Sequence, residues 1–368
     1  MKKTVTIGDL GTIITGNTPP RSHPELYGSH TPFVKATDIS ETEKYTYNPE
    51  ECYSEEGYNK YIRSLVPKGS TCVVTIGSIG KKMTMAHCDM FINQAMNAII
   101  PNSNFDNEFV YYAVRNVLSN IKALDSGTAS GRENVSKSAF SKMEVLVDDD
   151  LGNQHRIATI LSRYDSLIEN YQKQIKLLEE AAQRLYKEWF IDLHFPGHEN
   201  TNIIDGVPEG WEKKKALDFF EMSIGKTPPR AQKQWFTDGN NGIPWVSISD
   251  MKDTMFIQNT SEGLTQESCE KFNVKIVPKG TILLSFKLTV GRVAFAGTNV
   301  CTNEAIAHFK KEGEEWMAYT LLYLRNYNYD SLGNTSGISK AVNSTIIRNM
   351  PFVMPSKFIL QEVSQRVL

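Results

Sequence analysis

The chain has 368 residues, of which 40% are hydrophobic and 22% are charged, and its formal net charge is −2. This length suggests two or three domains, and since no apolar run is long enough for a membrane span or a secretory signal, we expect a cytoplasmic location. The near-neutral charge excludes a strongly basic protein that neutralises nucleic-acid phosphates by itself, and five scattered cysteines exclude a disulfide framework or a zinc site.

Residues 1–150 begin with a polar loop, Gly16-Asn17-Thr18-Pro19-Pro20-Arg21, whose paired prolines restrict the backbone. Runs rich in Val, Ile, Thr and Phe follow and predict short strands, the clearest at 71–76. We expect a helical segment at 108–124, a Gly/Ser/Thr/Asn loop at 126–140 and a final strand at 143–147. The region is therefore predicted to be a mixed α/β domain.

The segment 151–195 is predicted to hold one long helix, which runs from Asn153 to Phe190 and is about 55 Å in length. Asn153 is the predicted N-cap, and Asp148 to Asp150 place negative charge ahead of the positive helix end. Apolar residues follow one another at steps of four and three, the heptad spacing of a coiled coil, at Ile157, Leu161, Tyr164, Ile168, Tyr171, Ile175, Leu178, Ala182, Leu185 and Trp189. Such a stripe needs a partner helix, although a surface helix that lies on a domain is an alternative.

The chain after the helix repeats the first 150 residues. The polar loop returns as Gly225-Lys226-Thr227-Pro228-Pro229-Arg230, and other short matches recur in the same order at offsets of 207 to 212 residues. A period this long indicates a duplicated domain, which we place at 196–359. Gln361 aligns with Gln154, so residues 360–368 are expected to begin a second long helix that is truncated at Leu368. The predicted fold class is α+β, with two similar mixed α/β domains separated by a coiled-coil helix.

No motif in the sequence indicates catalysis. The segment Gly77-Ser78-Ile79-Gly80-Lys81-Lys82 lacks the spacing of a phosphate-binding loop, no G-x-S-x-G motif occurs, and neither histidines nor carboxylates have metal-ligand spacing. We therefore expect a non-enzymatic protein with no metal and no cofactor of its own. An enzyme with unrecognised chemistry is an alternative.

Two similar domains joined by a long helix suit the recognition of two separated marks on DNA, because half-sites one turn of B-DNA apart lie about 34 Å apart. Arg and Lys match guanine, Asn and Gln match adenine, and Ser and Thr match either base. The polar loops supply such side chains as candidate DNA contacts, namely Thr18, Arg21, Lys81, Lys82, Arg132, Asn134, Ser136 and Lys137 in the first domain, and Thr227, Arg230, Lys287, Arg292, Ser339, Lys340 and Asn343 in the second. Taken singly, each of them is equally well interpreted as a solvated loop residue.

On these motifs the chain resembles the specificity subunits of type I restriction-modification systems. The resemblance covers essentially the whole chain. It is carried by the Gly-x-Thr-Pro loops at 16–19 and 225–228, by Gly-Ser-Ile-Gly-Lys at 77–81 and Asn-Gln-Ala at 93–95, and most specifically by LGNQHRIATILSRYDSLIEN at 151–170, LYKEWF at 185–190 and Val-Pro-Glu-Gly-Trp at 207–211.

This resemblance implies a non-catalytic subunit with two target-recognition domains, each recognising half of a bipartite, asymmetric site in double-stranded DNA. It also implies two modification subunits that bind S-adenosylmethionine and methylate adenine, and restriction subunits that use ATP with Mg²⁺. In relatives the second helix is full length and packs antiparallel on the first. We therefore expect a second copy of the chain, or a separate helical fragment, to complete the pair; a truncated product is the alternative. A stand-alone two-domain DNA-binding protein or a structural coiled-coil adaptor would also fit the sequence pattern.

Overall fold

The computed structural model describes residues 2–125, 133–239, 241–252, 254–332 and 342–367. The chain forms two compact units, Met1–Ile175 and Lys176–Leu368. The domain limits predicted from the sequence, 1–150, 151–195, 196–359 and 360–368, stay predictions, and the long helix contributes residues to both units. In the described ranges no helix is both long enough and apolar enough to cross a membrane.

The first unit is built from many short strands and a few helices, as the sequence predicts. Its strands are β1 (Lys2–Thr6), β2 (Gly11–Thr15), β3 (Tyr27–Gly28), β4 (Thr31–Val34), β5 (Glu51–Tyr53), β6 (Thr71–Val74), β7 (Met83–Met85), β8 (Phe91–Ile92), β9 (Met96–Pro101) and β10 (Glu144–Asp148). Its helices are α1 (Ile7–Leu10), α2 (Glu55–Tyr61), α3 (Asn107–Asn116), α4 (Lys137–Ser141) and the start of α5 (Leu151–Tyr186).

Three sheets organise this unit, with strand orders β1-β10, β2-β9-β6-β7 and β3-β5-β4-β8. The sheet β2-β9-β6-β7 is the middle layer, because side chains of a strand alternate between its two faces. Val73 and Ile99 on one face are buried together with residues of α1 and α3. Cys72 and Ala98 on the other face are buried against residues of the sheet β3-β5-β4-β8.

The second unit contains the same kinds of element. Its strands are β11 (Ile203–Ile204), β12 (Val207–Pro208), β13 (Glu212–Lys215), β14 (Glu221–Ile224), β15 (Phe236–Asp238), β16 (Ile243–Val246), β17 (Phe256–Ile257), β18 (Glu262–Leu264), β19 (Ile282–Ser285), β20 (Val293–Ala296), β21 (Cys301–Thr302), β22 (Ile306–Lys310) and β23 (Pro351–Met354). Its helices after α5 are α6 (Ala216–Phe219), α7 (Gln266–Lys271), α8 (Met317–Asn326), α9 (Ser344–Asn349) and α10 (Lys357–Val367).

The strand orders of the two units match. The pair β1-β10 recurs as β13-β23, the order β2-β9-β6-β7 recurs within β14-β22-β19-β20-β17, and β3-β5-β4-β8 recurs as β15-β18-β16-β21. Even the parallel pair β4 and β8 has its counterpart in β16 and β21. The predicted duplication of a mixed α/β domain is therefore confirmed.

Helix α5 begins two residues earlier than predicted. The Asp150 carboxylate accepts a hydrogen bond from the Asn153 backbone N at 3.0 Å, so Asp150 and not Asn153 is the N-cap. The helix has 36 residues and is therefore about 54 Å long. It contacts the first unit through a mostly polar face, where Gln154 and Ala158 are buried and Asp165 accepts a hydrogen bond from the Tyr112 hydroxyl at 2.6 Å. The apolar stripe takes little part in this contact.

The end of the predicted stripe has a different role. Beyond α5 the chain continues in a π-helical turn, Lys187–Ile191. Trp189 is only 5% exposed in the core of the second unit, and Leu185 packs against the same core. The second unit therefore covers Trp189, with the Arg366 guanidinium of α10 at 5.0 Å from a Trp189 ring centroid, and it partly covers Leu185.

The last helix, α10, starts three residues before the predicted limit at 360. Ile359, Leu360 and Val363 are buried in the core of the second unit. The sequence alignment is also wrong by one residue here. The Gln154 backbone N donates to the Asp150 carbonyl, and the Leu360 backbone N donates to the Ser356 carbonyl, so Leu360, not Gln361, occupies the position of Gln154.

Candidate nucleic-acid interface

The two Gly-x-Thr-Pro loops are held in place by the same contacts. The Gly16 N donates to the Met96 carbonyl at 3.1 Å, and the Gly225 N donates to the Ile306 carbonyl at 3.2 Å. A Cβ atom on Gly16 would lie 2.2 Å from the Asn93 carbonyl oxygen, and one on Gly225 would lie equally close to the Asn303 carbonyl oxygen. Both positions therefore require glycine, because the loop backbone packs directly on the backbone of another segment of the same unit.

The threonines of these loops also have matching partners. The Thr18 hydroxyl donates to the Gln94 side chain, and the Thr227 hydroxyl donates to the Glu304 carboxylate. Burial by itself would raise the pKa of Glu304, but the hydrogen bond from Thr227 and the nearby cations hold it below its usual value. The two units thus present an amide and a carboxylate at equivalent places.

Arg21 and Arg230, two predicted DNA contacts, are engaged in the same way. Arg21 makes two hydrogen bonds to Glu51, at 2.6 and 2.9 Å, and Arg230 makes two to Glu262, both at 2.8 Å. The hydrogen bond to Arg21 lowers the pKa of Glu51. Each guanidinium also lies over an aromatic ring, 4.6 Å from the centroid. Both arginines therefore stiffen their loops, and their contact with DNA stays a prediction.

Two equivalent hairpins carry four more of the predicted contacts. Lys82 Nζ donates to the Ala36 carbonyl at 3.4 Å, and Arg292 Nη1 donates to the Ile248 carbonyl at 2.6 Å. These cations tie each hairpin to the loop that follows β4 or β16. Lys81 is exposed, and Lys287 Nζ lies 5.7 Å from the centroid of the Phe286 ring.

The residue at the tip of the second hairpin, Leu288, was not predicted from the sequence. Leu288 is 84% exposed, and its φ of +60° lies in the left-handed region. The equivalent residue of the first hairpin is Gly77, with φ +89°. A leucine where the other copy has a left-handed glycine is the signal that could have identified it.

The loops before α4 and α9 supply the remaining candidates. The Ser136 hydroxyl accepts a hydrogen bond from the Ala139 N and caps α4, and the Asn343 side chain accepts one from the Ile346 N and caps α9. The Asn134 N donates to the Asp125 carboxylate at 2.8 Å. Arg132, Ser339 and Lys340 lie outside the described residues. For these candidates too, DNA contact stays a prediction.

A basic cleft of about 500 Å³ adjoins the first Gly-x-Thr-Pro loop. Its cations are Lys60 and Arg63, which the sequence analysis missed, and the predicted Lys137. Thr15, Asn17 and Ser64 add hydroxyl and amide groups, and among the residues that the structure describes no acidic side chain lines the cleft. In the described part of the chain these three cations make no ion pair, so they are available to an anionic ligand.

Buried polar side chains occupy different positions in the two middle sheets. In the first unit Asn97 accepts from the Thr15 hydroxyl at 2.6 Å and donates to Thr75 at 2.9 Å. In the second unit His308 lies between the hydroxyls of Ser223 and Thr302, each at 2.8 Å. Burial, with a smaller effect of Lys275, lowers the pKa of His308 to about 4.

The apolar stripe of α5 is exposed along the middle of the helix, between its N-terminal turns and the C-terminal part that packs in the core of the second unit. The exposed fractions lie between 38% and 70% for Ile157, Leu161, Tyr164, Ile168, Tyr171, Ile175 and Leu178. Ile160, Leu167 and Leu177, which lie off the stripe, are 56%, 46% and 64% exposed. So much exposed apolar surface along one helix is typical of an interaction site.

Comparisons with known proteins agree with this arrangement. A family model described as the type I restriction modification DNA specificity domain matches residues 2–180 and 208–365. The chain is 26% identical over 369 residues to the type I restriction enzyme MjaIX specificity subunit of Methanocaldococcus jannaschii, an alignment that covers 97% of this chain and 83% of the relative. It is 32% identical over 284 residues to the HindI specificity subunit of Haemophilus influenzae, covering 60% of this chain and 61% of that protein.

The fold is similar to that of a solved S subunit. The crystal structure of the type I restriction-modification system S subunit from M. genitalium aligns with a TM-score of 0.63 at 15% identity, over 100% of this chain and 88% of that one. The family model accounts for both copies of the repeat, and the chain therefore belongs to the family of type I restriction modification DNA specificity domain proteins.

Proposed function

We propose that this chain is the DNA-recognition subunit of a type I restriction-modification complex and that each unit recognises one half of a bipartite, asymmetric site. One observation carries the proposal. The two units hold the same loops by the same hydrogen bonds, yet they present different polar groups, such as Gln94 in one and Glu304 in the other. An amide suits adenine and a carboxylate suits cytosine. The same loop structure with different side chains therefore fits two half-sites of different sequence.

The basic cleft fits contact with the DNA backbone. Phosphate contacts position a protein on the duplex, whereas base contacts supply specificity. Lys60, Arg63 and Lys137 would hold phosphates beside the recognition loop that contains Asn17. A net charge of −2 leaves most of the phosphate neutralisation to other subunits.

The chain itself would be non-catalytic. Two modification subunits would bind S-adenosylmethionine and methylate adenine, and restriction subunits would use ATP with Mg²⁺. The exposed Ile160, Leu167 and Leu177 of α5 offer a contact surface for the modification subunits, separate from the stripe that a partner helix would cover.

A second copy of the chain, or a separate helical fragment, would pair with that stripe. Replacement of Ile168 and Leu178 with Asp should abolish this association without loss of helicity, since both side chains are more than half exposed. Sedimentation velocity with far-ultraviolet circular dichroism would show it. A wild-type chain that stays monomeric at tens of micromolar would rule out pairing between copies.

The experiment that tests the function is site-resolved adenine methylation of a random-sequence library by the chain and its modification subunit, expressed together. We expect a motif of two short half-sites with a fixed gap. Gln94→Ala should relax one half-site and Glu304→Ala the other. If both variants weakened both half-sites equally, the residues would not recognise bases. DNA binding without salt dependence, or no binding at all, would favour a structural adaptor.

A further inference from the structure

We propose that Leu288 contacts the C5-methyl group of a thymine in the half-site recognised by the second unit. This inference rests on the proposed function, since it names one group of the DNA that this unit recognises. It starts from the exposed fraction of the side chain. At 84%, Leu288 has the highest exposure of the large hydrophobic residues described in the structure.

The backbone of Leu288 makes this exposure more informative. A single exposed leucine is ordinary on a protein surface, but a leucine with φ +60° also carries steric strain. Leu193 has a similar φ of +58°, yet it packs against the core of the second unit, and burial of its side chain offsets the strain. Leu288 gains no such burial, so packing within this chain does not explain its side chain.

Hydrogen bonds at the neck of the hairpin keep this conformation in place. The Ser285 N donates to the Arg292 carbonyl at 2.9 Å, and the Gly291 N donates to the Ser285 carbonyl at 3.0 Å. The Ser285 hydroxyl donates to the Thr289 carbonyl at 2.6 Å and accepts from the Arg292 N at 3.0 Å. A strained residue persists only where its surroundings determine its conformation in this way, which is common at functional sites.

The repeat shows that the fold does not need a side chain here. Gly77 occupies the equivalent position of the first hairpin with φ +89°, and glycine adopts this conformation without strain. We therefore infer that the Leu288 side chain serves binding and does not stabilise the fold. Its neighbour Lys287 is a candidate DNA contact on the same hairpin. The major groove presents the thymine methyl beside hydrogen-bond acceptors, and apolar side chains contact that methyl.

The test uses the motif found by the methylation experiment. Each thymine of the second half-site, on either strand, is replaced with deoxyuridine, which lacks only the C5-methyl group. The dissociation constant is measured by fluorescence anisotropy, with the full chain bound to its modification subunits. We expect one replacement to weaken binding by the wild type about fourfold, the value of one buried methyl group. Leu288→Gly should bind the unmodified site as weakly as the wild type binds that deoxyuridine site, and should be insensitive to the replacement.

Three controls make the result specific. Leu217→Ala removes another exposed leucine, 43% exposed on α6, and should behave as the wild type. Leu288→Ala should lose the same sensitivity as Leu288→Gly. Leu288→Gly should be no less stable than the wild type, because glycine relieves the strain.

The proposal is overturned if no thymine of the second half-site is sensitive to the replacement, or if Leu288→Gly keeps the sensitivity. It is also overturned if Leu288→Gly weakens binding of the modification subunits and not of DNA, since the side chain would then contact protein. Absence of any bipartite motif would instead contradict the proposed function itself.

Discussion

His308 should make the stability of the second unit depend on pH. The side chain is buried between Ser223 and Thr302, and burial lowers its pKa to about 4. In the unfolded chain the pKa of a histidine is about 6.5. Above about pH 6.5 the side chain is neutral in both the folded and the unfolded state, so the difference in pKa does not change the free energy of unfolding. As the pH falls below it, the unfolded chain binds a proton that the folded chain excludes, so folding is disfavoured.

The size of the effect follows from the two pKa values. The second unit should lose about 2 kcal/mol by pH 5 and about 3 kcal/mol by pH 4 through this one group. Below pH 4 the folded state also binds the proton, and the loss levels off. This is a large part of the 5–15 kcal/mol that is typical of a domain.

The repeat supplies the control variant. The first unit has Ile14, Ile92 and Ala98 at the positions of Ser223, Thr302 and His308, so the triple replacement Ser223→Ile, Thr302→Ile, His308→Ala reproduces an apolar arrangement that the fold already uses. All five tryptophans belong to the second unit, so urea unfolding followed by tryptophan fluorescence reports on this unit alone. Between pH 7.5 and 5 the wild type should lose about 2 kcal/mol more than the variant. Parallel losses in the two proteins would refute the argument.

Three further predictions concern other residues. Gln154→Leu should lower the free energy of unfolding of the first unit by about 2–3 kcal/mol, because the Asp106 N and the Asp148 carbonyl lose their hydrogen-bond partners. Hydrogen exchange of the backbone amides in these segments measures the loss, and a value below about 0.5 kcal/mol would contradict the prediction. Ser136→Ala and Asn343→Ala should each lower the stability of their own unit by about 1 kcal/mol, because each removes a helix cap. Urea unfolding of each variant measures the loss, and unchanged stability would contradict the capping role. The double variant Lys60→Gln, Arg63→Gln should reduce the slope of log binding constant against log salt concentration by about 0.9 for each phosphate that is no longer neutralised. The exposed pair Lys122→Gln, Lys142→Gln serves as control. Equal slopes for the two double variants would show that the cleft does not bind phosphates.

The sequence predicted the features that depend on local spacing. The heptad pattern gave the long helix, and the Gly-x-Thr-Pro loops gave the duplication, because each is a short pattern that survives in both copies. It could not show that Leu185 and Trp189 join the second core, since a stripe residue and a core residue are both apolar. The N-cap was misplaced for a similar reason, because Asp150 and Asn153 are both good capping residues.

The candidate site was predicted less completely than the fold. The sequence predicted polar residues on matched loops, but it could not show that Arg21 is paired with Glu51, thirty positions along the chain. Nor could it show that Ser136 and Asn343 cap helices. Lys60 and Arg63 were missed because they come to the cleft from the end of α2 and the following turn, which no motif links to the polar loop.

The buried polar layers of the two middle sheets have a consequence for recombination between such genes. In β2 and β9 Ile14 faces Ala98 and Thr15 faces Asn97, whereas in β14 and β22 Ser223 faces His308 and Ile224 faces Ala307. A crossover that joined β2 to β22 would place Ile14 opposite the buried His308, whose Nδ1 would then lose the Ser223 hydroxyl as its partner. A crossover within α5 keeps each layer intact. Under the proposed function, exchange of whole units would therefore give new pairs of half-sites, whereas hybrids made within a sheet would be less stable.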